Sequence, residues 1–289
     1  MRQAILVGLI GANIQKSLSP ALFEDASAAA GLQGHYHLMD FDRLPGRRLE
    51  ELLAAACAAG FAGTNVTYPC KEAVLPLLDE VSPEAREIGA VNTVTIDQGG
   101  RTVGHNTDRT GFRRSFEETL GRERATGKTA LLVGAGGAGR AVAFALFDLG
   151  LSRLLVHDRN DAQAAGLRNA VGAGRCEIVA DPVAALGRAA GIVNATPVGM
   201  AGFPGLPIPT DAIAAEHWLA DVIYTPLETE LVVAARAKGA AAMGGAGMCV
   251  HQAAESFRLF TGRTADLVRM KQTFAAAAAS RGDVRAAAE

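Results

Sequence analysis

The chain has 289 residues, 49% of them hydrophobic and 20% charged, which is enough apolar material for the cores of two domains and too much for intrinsic disorder. Twenty-eight lysines and arginines against 30 aspartates and glutamates leave a formal charge of −2, with no basic excess for nucleic acid or an anionic membrane. No apolar run reaches the roughly 18 residues of a membrane span, and the alanine stretch at 275–279 is short and weakly hydrophobic. The start, Met1-Arg2-Gln3 and then an apolar run ending at Gly11, is too brief for a signal peptide. Cys57, Cys70, Cys176 and Cys249 show neither CxxC nor zinc-like spacing, so a reduced, cytoplasmic protein without a metal site is expected.

Short apolar runs alternate with amphipathic ones. Residues 4–10 read as a strand, 22–30 as a helix stopped by Gly31, 36–41 as a strand and 49–59 as a helix stopped by Gly60. A short strand follows at 63–66, a helix at 71–78 and a strand at 91–96. The second half repeats the alternation: a helix at 111–120, a strand at 130–133, a helix at 140–149 and a strand at 154–156. A helix at 162–171, strands at 191–194 and 219–222, and a helix at 248–260 complete it. Such alternation predicts parallel sheets with crossover helices. The boundary falls near 106–108, and the terminal helix is expected to return to the first half, giving domains of 1–107 with 246–289, and 108–245. The tail beyond Ser280 is polar and alanine-rich and is expected to fray.

The strongest local signal is Leu131-Leu132-Val133-Gly134-Ala135-Gly136-Gly137-Ala138-Gly139-Arg140, a GxGxxG set directly between an apolar strand and an apolar helix. The first glycine permits a tight turn, the second lets backbone N–H groups approach a pyrophosphate, and the third lets helix and strand pack closely. Nineteen residues after Gly139 stands Asp158, where a carboxylate binds ribose hydroxyls and repels a 2′-phosphate. NAD is therefore the preferred cofactor, with NADP the alternative that the adjacent Arg159 would serve.

Polar clusters mark the first half. Ser17-Leu18-Ser19-Pro20 reads equally as a helix cap, with Ser19 at the cap position, or as a carboxylate cradle. Asn65-Val66-Thr67-Tyr68-Pro69-Cys70-Lys71 places Lys71 in the first turn of the helix at 71–78, where the helix dipole favours the neutral amine and proton transfer. Asn92 and Asp108 stand at element ends, where single polar residues ordinarily make turns.

Together these segments resemble the shikimate/quinate dehydrogenase family over almost the whole chain. The carrying motifs are the Ser17/Ser19 turn, Asn65–Lys71, Gly89-Ala90-Val91-Asn92-Thr93, Asn106-Thr107-Asp108 and the glycine loop. Val193-Asn194-Ala195-Thr196-Pro197-Val198-Gly199-Met200, Asp221-Val222-Ile223-Tyr224 and Gly247-Met248-Cys249-Val250-His251-Gln252 complete the set. The resemblance implies a two-domain α/β fold, an N-terminal α/β substrate domain plus a Rossmann doubly wound NAD(P)-binding domain, with the active site in the cleft between them. It implies Lys71 and Asp108 as the catalytic pair, Ser17 and Ser19 on the substrate carboxylate with Tyr224 nearby, and Asn65, Thr67, Asn92 and Gln252 on the ring hydroxyls. Gly134, Gly136, Gly137, Ala138, Gly139, Asp158, Arg159, Thr196, Pro197, Met200, Val222 and Gly245 would hold the dinucleotide. His105 and His251 flank these motifs and are expected to be structural. The implied partner is a small molecule, in aromatic amino acid biosynthesis, with neither nucleic acid nor membrane, and the protein a monomer or homodimer.

Asp158-Arg159-Asn160 stands where NADP-dependent members carry Asn-Arg-Thr, which with His105, Arg109 and the segment 225–230 resembles the NAD-preferring quinate/shikimate branch. Ser19 in place of that branch's common threonine resembles the strictly shikimate-acting members, and Cys70 and Gly244 also depart from the family pattern. Shikimate, quinate and an amino-substituted analogue stay open as substrates, and a catalytically silent dinucleotide or metabolite sensor is the rival reading.

Overall fold

The computed structural model describes residues 3–281, so the expectations for Met1, Arg2 and the tail past Arg281 lie outside the described residues. The chain divides into two compact units: the residues up to Thr107 with Val250–Ala277, and Asp108–Cys249 with the chain from Ala278 on. Among the described residues no helix is long and apolar enough to cross a membrane.

In the first unit the order is β1 (Ala4–Gly11), α1 (Ser19–Ala29), β2 (Gln33–Asp40), α2 (Leu49–Ala58), β3 (Gly63–Val66), β4 (Glu80–Val81), α3 (Pro83–Ile88), β5 (Thr93–Ile96) and β6 (Thr102–His105). The sheet order is β2-β1-β3-β5-β6-β4. Side chains alternate across β1: Ile5 and Val7 pack with Phe23 and Phe257 on one face, while Ile10 packs with Leu52 and Leu53 of α2 on the other. Burial on both faces is why β1 reads as a nearly unbroken apolar run.

This sheet is mixed, not parallel as expected. β3–β5 and β5–β6 pair antiparallel; β5 and β6 are joined by a tight turn, where a parallel pair would need a long crossover. The Asp97 carboxylate shapes that turn by accepting the N–H groups of Gly99 (2.8 Å) and Arg101 (2.9 Å). The helix expected at 71–78 is also absent. The Val74 N–H reaches the Cys70 carbonyl at 3.0 Å, a single α-type turn, and the chain then narrows to a 3₁₀ turn at Leu75–Leu77. Pro76 has no N–H to continue an α-helix.

The second unit continues with α4 (Asp108–Thr119), β7 (Thr129–Val133), α5 (Gly137–Asp148), β8 (Arg153–His157), α6 (Asp161–Val171), β9 (Cys176–Ile178) and α7 (Pro182–Ala185). β10 (Gly191–Asn194), β11 (Trp218–Asp221), α8 (Glu230–Ala237) and β12 (Ala241–Met243) follow, then α9 (Ala246–Thr261), within which the division into units falls, and α10 (Leu267–Ser280). All pairs in this sheet are parallel, ordered β9-β8-β7-β10-β11-β12, the doubly wound order with its switch between β7 and β10. Leu131, Ile192 and Leu219 face Leu231 and Val232 of α8 in one core. Trp218 stacks edge-on against Phe116 of α4 at 4.9 Å and donates its indole N–H to the Arg124 carbonyl at 2.8 Å. Helices α4 and α5 are clamped by Arg109, which makes two short bonds to Asp148, 2.7 and 2.6 Å.

Candidate active site

In the second unit the dinucleotide candidates collect at the carboxyl ends of the central strands, where open parallel sheets bind ligands. The glycine loop follows β7. Gly134 has φ +100°, and a Cβ there would lie 2.8 Å from the Ala195 backbone, so this turn abuts the loop after β10. At Gly139 a Cβ would come within 2.0 Å of the Gly134 carbonyl oxygen, which is the close packing the third glycine serves. Gly136 differs: nothing lies within 4 Å of where its Cβ would be, and no side chain caps the start of α5. An open approach to helix N–H groups that no side chain has taken fits a pyrophosphate.

Asp158, just past β8, accepts the Ala135 N–H at 2.7 Å and the Asn160 N–H at 2.8 Å. The carboxylate is thus tied to the glycine loop by one oxygen, with further lone pairs for ribose hydroxyls, and these residues fit a dinucleotide. Arg159 beside it is exposed. Thr196 and Pro197 follow β10, and Met200 pairs with Phe203 in a tight turn. Val222 lies one residue past β11, outside the strand expected at 219–222, and a Cβ on Gly245 would meet its carbonyl oxygen at 2.2 Å.

In the first unit Ser17 and Ser19 follow β1. Ser19 is not the helix cap: Leu18 is already in the α region, so the helix begins at Ser19, and the buried Ser17 hydroxyl accepts the Ser19 N–H at 3.2 Å. Asn65 on β3 accepts the Tyr36 hydroxyl at 2.9 Å and donates to Thr93 Oγ1 (2.9 Å) and Ser256 Oγ (3.1 Å). Asn92 donates to Thr107 Oγ1 at 2.9 Å and accepts the Thr107 N–H at 2.8 Å, and Thr107 reaches Gln252 Oε1 at 3.4 Å. The fold therefore joins Asn65, Asn92 and Gln252 in one polar cluster, beside a small pocket lined by Ser19, Tyr36, Asn65 and Ser256.

Thr67 hydrogen-bonds the Ile10 carbonyl through its N–H at 3.0 Å. Half-buried Lys71 stands in the turn after it, not at the start of an α-helix, so the dipole argument for its neutral form does not apply. Its carbonyl accepts the Val91 N–H at 2.8 Å. Asp108 is buried at the first position of α4, and Asp108 and Tyr224 both belong to the second unit.

Reading the sequence missed Tyr36, Thr93, Thr107 and Ser256 in the polar cluster. Ser256 carried a usable signal, since it lies one helical turn from Gln252 and shares its face. Asp221, Asn194 and Thr229 form a second buried network. Burial pushes the Asp221 carboxyl up to about 6, opposed by hydrogen bonds from Ile223, Thr229 and Asn194. It also pushes the Cys70 and Cys176 thiols up to about 11, which makes them inert packing groups near neutral pH.

A doubly wound sheet with this glycine loop and carboxylate, joined in one chain to a separate α/β unit with a polyol-suited polar cluster, defines a two-domain dinucleotide-dependent oxidoreductase. The family description "Shikimate dehydrogenase substrate binding domain" matches residues 9–94, and "Shikimate 5'-dehydrogenase C-terminal domain" matches 245–273. The quinate/shikimate dehydrogenase (NAD(+)) of Corynebacterium efficiens is 47% identical over 94% of this chain and 98% of its own length. The shikimate dehydrogenase (NADP(+)) of Streptomyces avermitilis is 46% identical over 93% of this chain and 94% of its own. The solved quinate dehydrogenase from Corynebacterium glutamicum in complex with NAD superimposes with a TM-score of 0.87 at 44% identity, covering 95% of this chain and 100% of that one. The chain belongs to the shikimate dehydrogenase family, with its N-terminal α/β substrate domain and Rossmann NAD(P)-binding domain.

Proposed function

We propose that the protein is a cytoplasmic NAD(P)-dependent dehydrogenase, a monomer or homodimer, that reversibly oxidises shikimate to 3-dehydroshikimate and accepts quinate as well, with NAD preferred. The observation that carries this reading is the polar cluster joining Asn65, Asn92 and Gln252 in a unit that also bears the Ser17/Ser19 turn. Its amides and hydroxyls suit a ring with several hydroxyl groups, and the serines suit an attached carboxylate. The names of the similar proteins support the same substrate class. In this reading residues 1–107 and 246–289 serve the substrate and 108–245 the dinucleotide.

Ser17, Ser19 and Tyr224 hold the carboxylate, and Asn65, Thr67, Asn92 and Gln252 orient the ring. When bound, the dinucleotide accepts a hydride in oxidation and returns one in reduction. Lys71 takes the hydroxyl proton in oxidation and gives it to the carbonyl oxygen in reduction, and Asp108 stabilises the ammonium form. Backbone N–H groups at Gly136, Gly137, Ala138 and Gly139 would hold the pyrophosphate, and Asp158, beside Arg159, would hold the ribose. Gly134 shapes the turn, and Thr196, Pro197, Met200, Val222 and Gly245 line the rest. The preference for NAD is supported by the negative charge of Asp158 anchored against the loop.

The test is steady-state oxidation of shikimate and quinate with NAD and with NADP. Lys71→Ala is expected to lower kcat by about 10²–10⁴-fold with dinucleotide Kd unchanged. Turnover that survives Lys71→Ala overturns the assignment of Lys71. Asp158→Asn is expected to raise NADP use relative to NAD, and an unchanged ratio would assign selectivity elsewhere.

A further inference from the structure

Asp221 takes no part in the chemistry above, yet its fully buried carboxylate is the hub of a network at the carboxyl ends of β10 and β11. Oδ1 accepts the Ile223 N–H at 3.0 Å and Asn194 Nδ2 at 3.1 Å, and Oδ2 accepts the Thr229 hydroxyl at 2.7 Å. Asn194 passes the constraint on. Its Oδ1 accepts both the N–H (3.0 Å) and the hydroxyl (2.7 Å) of Thr196, and its Nδ2 also reaches the Val198 carbonyl at 3.2 Å. The Thr196 oxygen in turn accepts the Val198 N–H at 3.1 Å. On its other side, Thr229 caps α8 by accepting the Val232 N–H at 3.3 Å.

The choice of a carboxylate has a physical consequence. An ionised carboxylate can only accept, so Asn194 must turn its NH₂ toward Asp221 and its carbonyl oxygen toward Thr196. A residue at 221 without an acceptor, such as alanine, would leave both orientations of that amide open, and the turn from 195 to 198 would lose its single arrangement. Leaving a buried charge here without partners would be costly, and the three donors offset that cost.

We infer that Asp221 is a positioning residue for the dinucleotide site, acting through Asn194 to hold the Thr196–Pro197–Val198 turn in its binding conformation. The inference rests on the proposed role of Thr196 and Pro197 at that site. The Asp221 carboxylate accepts from three protein donors, so its proposed action runs through Asn194. Its loss is therefore read in dinucleotide affinity and spares the substrate.

The experiment compares wild type with Asp221→Ala, Asn194→Ala, the double variant and Asp221→Asn, by equilibrium titration of NAD and NADH and by KM for shikimate at saturating NAD. Each alanine variant is expected to weaken dinucleotide binding about 10-fold, the scale of one charge-assisted hydrogen bond, with shikimate KM held within about 2-fold. Asp221→Asn keeps an acceptor toward Asn194 and is expected to stay within about 3-fold of wild type. The double variant is expected to be no weaker than the weaker single one, since both changes break one chain of contacts. If Asp221→Ala does not fold, Thr229→Val removes one donor from the same carboxylate and is expected to weaken dinucleotide binding in the same direction. Alanine variants that bind as wild type, effects that multiply in the double variant, or a shikimate KM that rises in step would each overturn the inference while leaving the functional reading intact. Wild-type protein that binds neither NAD nor NADP would overturn both.

Discussion

Gly136 and Gly139 sit three residues apart in the same loop and answer to different constraints. A methyl group at 139 would press on the Gly134 carbonyl at 2.0 Å, so the fold itself requires glycine there. A methyl at 136 meets nothing within 4 Å in the protein. Gly136→Ala is therefore expected to leave the unfolding midpoint within about 0.5 kcal/mol of wild type while weakening dinucleotide binding about 10-fold or more. Equal affinity in the two proteins, by titration, would place the pyrophosphate elsewhere. Both glycines belong to one sequence motif, and only the coordinates separate the one that serves packing from the one that leaves room.

At the scale of elements, much of the site depends on how the ends of strands are fastened to one another. Thr107, just past β6, exchanges bonds with Asn92, just before β5, and Asn106 donates to the Ala90 carbonyl at 2.9 Å. Thr107→Val keeps the shape and removes the hydroxyl that accepts from Asn92 Nδ2. Unfolding stability is expected to fall by about 1–3 kcal/mol, read from denaturant midpoints, and an unchanged midpoint would show that the cluster holds without it. The turn bearing Lys71 shows where element reading fails. Its apolar spacing suited a helix, but Pro76 withholds an N–H and the chain reaches β4 within a few residues. The mixed sheet is a second instance. Alternation of strand and helix suggested parallel pairing, and the four-residue turn Asp97-Gln98-Gly99-Gly100 reversed the chain instead.

For the molecule as a whole, the buried Asp221 carboxyl leaves a signature in stability against pH. Its folded value of about 6 lies above the ordinary 3.8, so the native state holds this proton more tightly than the unfolded chain does. The contribution is present in full below about pH 4 and is lost as pH rises through about 6, amounting to about 3 kcal/mol. His105 acts in the opposite sense. Burial, with the Arg258 charge, holds its imidazole below the usual 6.5, so its contribution is present above that value and is lost as pH falls through the folded value. Asp221→Asn separates the two. The stability of wild type minus that of the variant is expected to decline between pH 4 and 7 in urea titrations, and parallel curves would place the Asp221 proton outside this window.

The sequence by itself determined what is local. A strand, a glycine loop, a helix and an acid at the next strand end are neighbours along the chain, and short-range sterics dictate how such a segment folds, so β7, α5, β8 and Asp158 were legible, whereas the short edge strands β9 and β12 and helices α7 and α8 were not read. Only the tertiary structure decided which distant polar groups meet. Asn65 and Ser256 are 191 positions apart, and Asp221 and Asn194 lie on separate strands, so no spacing rule could pair them. Ser256, Asn194 and Asp221 are buried and Asn65 half-buried, where a polar atom must find a partner, and which partner it finds is set by how the sheets and helices pack around it.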